Sequence, residues 1–279
     1  MKKIFKFLFM MLLVTSCGGS DSEELTMEID PSNPDELSRA IVIQGNVVTG
    51  TPPASSTSSN APNVSNNQSA ARITNDNVLA LPFSYSSTTT NGYGGCYVQV
   101  NGASTYWDIP STGSTQSSGQ IILPVGIPAT VLDGNFTIVY CIYDSNGLVS
   151  NVLSTNVTIA PPKTCPGFES GSDGLTIFEY DLGSNSGDVT ISYDTYSVPD
   201  RIDVLYNDVW VDGTGSSLGS GQFPPQLNCN NATVSDGFVG ERGTFTVNHN
   251  PANGSKLKIY VSGCIGSSTA WDIQVSCPQ

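Results

Sequence analysis

Apolar and polar residues alternate along most of the chain after Val78, which is the pattern of half-buried β-strands. Cys96, Val98 and Val100 fall on one face of such a strand, and Tyr97 and Gln99 fall on the other. The Asn-Gly pair at 101–102 predicts a two-residue hairpin turn, because both residues tolerate positive φ. A return strand is therefore predicted over about 103–109.

A second hairpin is predicted further along the same stretch. The alternating apolar residues are Phe136, Ile138, Tyr140 and Ile142. An Asn-Gly turn at 146–147 leads into residues 148–159. Residues 78–162 therefore predict a small antiparallel sandwich of the immunoglobulin-like or fibronectin-like kind.

Alternation resumes after Pro161-Pro162 and continues to the end of the chain. Its inward positions are Val189, Ile191, Tyr193, Ile202, Val204, Tyr206, Phe245, Val247, Leu257, Ile259, Val261, Trp271, Ile273 and Val275. Residues 163–279 therefore predict a second β-sandwich, jelly-roll-like, with a hairpin formed by 256–262 and 270–276. The fold class expected is all-β, with two small antiparallel β-sandwich domains.

The first 16 residues have the layout of a secretory signal. Three lysines precede an apolar run at 7–14, and that run is too short to cross a bilayer as a helix. Val14-Thr15-Ser16-Cys17 resembles a bacterial lipobox, which implies that Cys17 is acylated and becomes the first residue after cleavage. The acidic residues that follow resemble the export signal of Bacteroidota surface lipoproteins, whereas an acidic tether without a sorting role is the alternative. The resemblance implies an outer-membrane lipoprotein facing outwards.

Residues 17–77 are expected to form the lipidated N-terminus and a flexible linker. The stretch 45–77 is rich in Ser, Thr, Asn and Pro, so it offers little apolar surface to offset the entropy of ordering. A short helix near 35–39 and a strand through Val47-Val48 are the structured alternatives. Cleavage after residue 16 leaves seven basic and 24 acidic residues, a formal charge of −17. Nucleic acid and anionic lipid surfaces are therefore disfavoured as partners.

Six cysteines remain after Cys17, an even number that suits disulfides in an oxidising compartment. Cys96 and Cys141 each lie within a predicted strand, and we expect them to be joined. In the second domain the predicted hairpin would separate Cys264 from Cys277, and domain ends tend to lie close together. We therefore prefer Cys165 with Cys277 and Cys229 with Cys264. Zinc is the competing interpretation, but there is no C-x-x-C pair and His249 is the only histidine.

Residues 188–214 and 268–272 resemble a β-sandwich module at the C-terminal ends of many bacterial secreted proteins, and the resemblance covers nearly all of the second domain. Its strands read like Tyr-Asp-x-Tyr-x-x-Pro-Asp-Arg and Ala-Trp-Asp, and the matching residues here are Tyr193, Asp194, Tyr196, Pro199, Asp200, Arg201, Ala270, Trp271 and Asp272. That module implies no activity. Residues 78–160 resemble accessory sandwiches of Bacteroidota surface proteins, which implies display or adhesion.

Few residues in the sequence suit a catalytic role. A hydroxyl or thiol nucleophile needs a base beside it, and His249, between two asparagines, is expected to be solvated. Glycoside hydrolysis needs two carboxyl groups. A surface or turn position is the simpler explanation for every candidate acid. These acids are Glu169, Glu179, Glu241, Asp108, Asp133 and Asp144. We expect no enzyme activity and no cofactor.

Two kinds of binding site remain. A structural calcium ion would use oxygen ligands in the second domain, with Asp200 and Asp272 as candidates, although Asp200 could instead pair with Arg201 or Arg242. A sugar platform would use aromatic rings beside polar neighbours. Its candidates are Tyr93, Tyr97, Tyr106, Trp107, Tyr196, Tyr206 and Trp210. The function expected is binding or adhesion to extracellular glycan or protein. A structural spacer is the alternative, and an accessory subunit of a polysaccharide-degrading system is more distant.

Overall fold

The computed structural model describes residues 28–65, 70–87, 91–111, 116–172, 174–220, 222–225, 236–264 and 269–279. The described chain is all-β, as predicted, apart from one short α-helix and a single 3-10 turn. In these ranges no helix has the length and apolar character needed to cross a membrane.

The elements of the N-terminal half follow one another in this order: α1 (Pro34–Ala40), β1 (Asn46–Thr49), β2 (Asn63–Ser65), β3 (Ala70–Ile73), β4 (Asn77–Ser86), β5 (Tyr93–Val100), β6 (Thr105–Pro110), β7 (Ser118–Ile127), β8 (Gly134–Asp144) and β9 (Leu153–Ile159). Those of the C-terminal half are β10 (Lys163–Thr164), β11 (Gly167–Gly171), β12 (Gly174–Asp181), β13 (Gly187–Asp194), β14 (Arg201–Tyr206), β15 (Val209–Gly213), β16 (Arg242–His249), β17 (Lys256–Gly263) and β18 (Trp271–Val275).

The first sandwich packs a three-stranded sheet, β2-β4-β7, on a six-stranded sheet, β1-β6-β5-β8-β9-β3. All pairings are antiparallel except that of β3 with β9. The order confirms the immunoglobulin-like or fibronectin-like prediction. Both Asn-Gly pairs lie in hairpin turns, with Gly102 and Gly147 at φ of 90° and 79°. The first loop is longer than the predicted two residues, because Val98 pairs with Trp107 and β6 begins at Thr105.

The second sandwich packs β10-β12-β17-β14-β15 on β11-β18-β13-β16. The eight strands β11 to β18 divide between two four-stranded sheets in the order of a jelly roll, with β10 added at an edge. The jelly-roll prediction is therefore confirmed, but the predicted hairpin of 256–262 with 270–276 is wrong. β17 and β18 lie in opposite sheets because β18 pairs with β11 and β13.

The prediction that residues 17–77 form a linker is wrong for most of the described part. Asn33 caps α1 and Pro34 begins it, and Leu37 is fully buried in the first core together with Ile41 and Ile43. The strands β1, β2 and β3 each join a sheet of the first sandwich. Three- and four-residue strands are too short to show alternation, which is why composition alone suggested disorder. Residues 17–27 lie outside the described ranges.

The disulfide between Cys165 and Cys277 is present, with Cα atoms 4.9 Å apart. Cys264 is also disulfide-bonded and buried, whereas its predicted partner Cys229 lies outside the described residues. The predicted bond between Cys96 and Cys141 is wrong, because both are free thiols. In the β5–β8 register Cys96 lies opposite Ile142 and Cys141 lies opposite Tyr97. Directly opposed residues share a face and neighbours along a strand do not, so the two thiols point to opposite faces.

The two sandwiches touch through a small apolar cluster. Ala80 of β4 packs with Leu175 and Ile177 of β12, Leu205 of β14 and Tyr260 of β17. Beside this cluster the Asn77 amide donates a 2.8 Å hydrogen bond to the buried carboxylate of Glu179. The domains are therefore in contact as well as joined by the chain at Pro161-Pro162.

Candidate aromatic binding site

Three tyrosines lie in a row on the outer face of the six-stranded sheet. Tyr97, Tyr106 and Tyr143 are the half-buried partners, in the alternation of β5, β6 and β8, of the buried residues Val98, Trp107 and Ile142. The centroid of Tyr97 is 4.6 Å from that of Tyr143 and 5.7 Å from that of Tyr106. We call these three residues the tyrosine row.

Gly95 determines where the ring of Tyr143 lies. Gly95 is opposite Tyr143 in the sheet, next to an irregularity in the register between β5 and β8. A Cβ atom built on Gly95 would collide with the Tyr143 phenol, so the ring lies over the Gly95 backbone. The Tyr143 hydroxyl donates a 2.8 Å hydrogen bond to Oδ1 of Asp108. Glycine therefore allows Tyr143 to lie along the sheet.

Asp108 borders the row beside Tyr97 and Tyr143. It lies directly opposite Tyr97 in the β5–β6 pairing. Burial, the hydrogen bond to Asp108 and the negative charge of that carboxylate raise the pKa of Tyr143. Burial and the same charge raise the pKa of Tyr97. Both hydroxyl groups are therefore neutral at physiological pH, and the rings keep the apolar faces and polar tips that suit sugar contacts.

A segment of the expected linker bounds the row on one side. We call residues 50–56 the strap. At its start the Gly50 N–H donates to the Ser104 carbonyl and the Gly50 carbonyl accepts from Gln99. At its end Ser56 exchanges hydrogen bonds with the backbone of Val149. The strap is therefore fixed at both ends.

The anchors of the strap are on opposite sides of the sheet, since Ser104 precedes β6 and Val149 bridges β8 on the side of β9. Six residue steps reach only about 20 Å, so the strap is nearly extended between these anchors, and its hydrogen bond from Gln99 puts its first residue on the outer face. Gln99 and Cys141 are buried although they lie on that face, and the strap bonds Gln99 directly. Pro52 and Pro53 favour the extended backbone that the crossing needs.

The other aromatic candidates do not form a platform. Trp107 is buried in the first core, and Tyr93 packs on Tyr85. In the second domain, Tyr206 bonds His249 and nearby carbonyl groups, and Trp210 packs on the apolar cluster between the domains. Tyr196 is 46% exposed and its hydroxyl bonds Asp272.

Tyr143 was absent from the aromatic residues predicted from the sequence. The signal was available, because Tyr143 alternates with the buried Ile142 and so belongs on the face of Tyr97 once β5 and β8 are paired. The pairing itself, and the glycine that lets the ring lie flat, require the structure.

The calcium candidates are not brought together. Asp200 is fully buried and its carboxylate accepts hydrogen bonds from the Cys264 N–H and the Thr269 hydroxyl. Asp272 receives the Tyr196 hydroxyl. Among the described residues there is no group of three or more His, Cys, Asp or Glu side chains placed to hold a metal ion.

The alternative that Asp200 pairs with Arg201 or Arg242 is wrong. Arg201 is buried and makes a two-pronged contact with Asp203, while Arg242 pairs with Asp194. Asp200 instead bonds the segments that precede β18 to the body of the sandwich. The Pro-Asp-Arg stretch therefore has a structural role in this fold.

Three of the candidate acids have structural partners. Glu169 pairs with Lys163, and Glu179 contacts Asn77 and two lysines. Asp144 caps the turn after β8. The expectation that His249 is solvated is wrong, because its ring is buried between the Tyr206 hydroxyl and the Gly183 carbonyl.

Comparison with known proteins gives remote similarities in structure alone. No family model matches the chain, and no curated protein is significantly similar to it. One similar solved structure is the surface glycan-binding protein SGBP-B of the Bacteroides ovatus mixed-linkage glucan utilization locus, in complex with a mixed-linkage heptasaccharide. It has 11% identity and a TM-score of 0.19, and the match covers 88% of this chain and 71% of that one. Another comprises fibronectin(III)-like modules of Clostridium thermocellum CbhA, with 9% identity, a TM-score of 0.22 and coverage of 66% and 77%.

Proposed function

We propose that this protein is a non-catalytic glycan-binding protein and that the tyrosine row is its binding site. The observation that carries the proposal is a set of three adjacent rings on the outer face of a sheet, with the Asp108 carboxylate beside them. Rings bind the apolar faces of sugars, and neighbouring polar groups bind their hydroxyls. Among the described residues, no comparable row of rings surrounds Tyr196.

Glycan-array screening followed by calorimetry tests the proposal. Tyr97→Ala removes the central ring, and removing an aromatic contact of roughly 1.5–3 kcal/mol would weaken binding about 10- to 100-fold. Tyr196→Ala is the matched control, because it removes an exposed tyrosine from the second domain. Equal binding by both variants would contradict the site. A bound glycan that shortens during incubation would contradict the non-catalytic role.

A structural spacer is the second candidate, supported by the contact between the two domains. A spacer would bind no glycan on the array, and its stability would be unaffected by soluble polysaccharide. The same screen therefore separates the two functions.

Lipidation of Cys17 and display on the outer surface are part of the proposal and are supported by the lipobox resemblance. Cys17→Ser would remove the only thiol in that motif, so fatty-acid labelling in cells should disappear. Label that persists in this variant would contradict the anchor. Protease access on intact cells distinguishes the outer from the periplasmic face.

Structural calcium stays a prediction for the second domain. An ion that binds only the folded state raises stability by about 2.7 kcal/mol at a hundredfold excess over its Kd. Thermal unfolding in calcium and in chelator measures this directly, and superimposable curves would contradict it.

A further inference from the structure

We infer that the tyrosine row takes an uncharged polysaccharide and that Asp108 accepts hydrogen bonds from its hydroxyl groups. This inference rests on the glycan-binding function proposed above. It concerns the class of glycan, which the tyrosine rings alone do not determine.

The two oxygens of the Asp108 carboxylate differ in their hydrogen bonds. Its Oδ1 accepts the Tyr143 hydroxyl, and its Oδ2 has no hydrogen-bond partner among the residues that the structure describes. Because Asp108 lies opposite Tyr97, a sugar bound on the row meets this carboxylate beside that ring. An ionised carboxylate only accepts hydrogen bonds. A sugar hydroxyl can donate to it, whereas the carboxylate or sulfate of an anionic glycan cannot.

The domain that carries the row is predominantly acidic. Residues 28–160 carry eight acidic and two basic side chains. Arg72 is on β3, three strands away from β5 across the sheet. Arg39 is exposed on α1, where it faces Asp35. A polyanion on the row would therefore meet Asp108 without a basic side chain from the described part of this domain to compensate.

An uncharged polysaccharide also fits the row better than a cationic one. A polycation repeats its charge along its length, whereas Asp108 is the one carboxylate that the described part of the chain places beside the row. Neighbouring centroids are 4.6 Å and 5.7 Å apart, and relative to Tyr97 the ring of Tyr143 is tilted by 30° and that of Tyr106 by 85°. A sugar presents apolar faces and hydroxyl groups to such rings with one acceptor beside them, whereas an ammonium group gains most where several rings enclose it.

Affinity electrophoresis of the full chain tests the inference with polymers that differ in charge, of which hydroxyethylcellulose, carboxymethylcellulose and chitosan share a β-1,4-linked backbone. Gels contain hydroxyethylcellulose or galactomannan as uncharged probes, carboxymethylcellulose or polygalacturonate as anionic probes, and chitosan as the cationic probe. We expect at least one uncharged probe to retard the protein, with little change up to ~0.5 M salt because no ion pair is involved. We expect no retardation by the anionic probes.

Asp108→Asn and Tyr97→Ala distinguish the possible failures, and a melting curve for each variant confirms folding. Asp108→Asn keeps a hydrogen-bonding oxygen but removes the charge, so it should weaken uncharged binding about fivefold and let anionic probes bind. If a charged probe retards the wild type and Tyr97→Ala abolishes this, the inference on ligand class is wrong and the proposed function stands. If no probe binds, or if binding is insensitive to Tyr97→Ala, the proposed function itself is wrong.

Discussion

At the residue scale, Gly95 links backbone conformation to the candidate site. Its φ is 152°, and a Cβ there would meet the Tyr143 phenol. We expect Gly95→Ala to displace the Tyr143 ring and to weaken glycan binding at least tenfold, with backbone strain of about 1–3 kcal/mol. Calorimetric titration and thermal unfolding measure the two effects.

Gly147→Ala is the matched control for this prediction. Gly147 has φ of 79°, and no atom lies within 4 Å of the position that a Cβ would take there. Alanine at this position therefore introduces backbone strain without displacing a ring. It should lower stability and leave binding intact. If both variants bind equally well, Tyr143 does not depend on Gly95.

The two free thiols give a second prediction at this scale. Burial raises the pKa of Cys96 to about 11 and that of Cys141 to about 12. Thiols react as thiolates, so both should react very slowly with iodoacetamide at pH 8 in the folded protein. In a Cys17→Ser chain, denaturation without reductant should expose two reactive thiols. A count of zero would mean that Cys96 and Cys141 are joined, and a count of four would mean that a second-domain disulfide is open.

Alternation of residue types predicted which face of a strand a side chain occupies better than it predicted which residue lies opposite on the next strand. Alternation correctly put Cys96 on the core face with Val98 and Val100. It could not give the register between β5 and β8, and a shift of one residue in register reverses which side chains share a face. For the same reason Tyr143 could not be placed beside Tyr97 from sequence alone.

At the scale of elements, α1 belongs to the first domain and does not act as a tether. Leu37 is fully buried in the first core. We expect Leu37→Ala to cost about 2–5 kcal/mol, because it removes buried methyl groups and leaves a cavity. Denaturant unfolding of the full chain measures the loss.

Val42→Ala provides the control for α1, since Val42 is 62% exposed. Exposed substitutions change stability by about 0.5 kcal/mol or less. If Leu37→Ala were equally neutral, the helix would not be part of the folded domain.

The long strands were predictable and the short ones were not. β8 and β13 each show alternating apolar residues, so their existence and inward faces follow from the sequence. The strap follows from neither composition nor periodicity, because its order comes from hydrogen bonds to Ser104, Gln99 and Val149 far along the chain. The strap beside the candidate site therefore lies in a segment whose composition resembles a linker.

At the scale of the whole molecule, Asn77 and Glu179 couple the two sandwiches. Glu179 is buried, and Asn77 donates to its carboxylate. Asn77→Ala should cost about 1–3 kcal/mol, because it leaves that carboxylate without its amide donor. We expect calorimetry to show one transition for the wild type and two partly separated transitions for the variant.

Asn91→Ala is the control for coupling between the domains. It removes a comparable hydrogen bond, which the Asn91 amide donates to the Asp144 carboxylate within the first sandwich. It should lower stability without separating the transitions. Identical profiles for Asn77→Ala and the wild type would contradict the coupling.

Alkaline pH should destabilise the second domain through two buried phenols. Burial raises the pKa of Tyr180 and of Tyr260 to about 12 each, compared with about 10 in the unfolded chain. A group with a raised pKa in the folded state stabilises the fold fully below pH ~10, and this stabilisation is lost as pH rises towards ~12. Each phenol could account for up to about 3 kcal/mol across that interval.

Denaturant unfolding at intervals from pH 8 to pH 12 measures the loss. Tyr260→Phe keeps the ring and removes one titrating group, so stability should fall less steeply with pH in this variant. An equally steep fall would show that Tyr260 does not contribute to the alkaline transition.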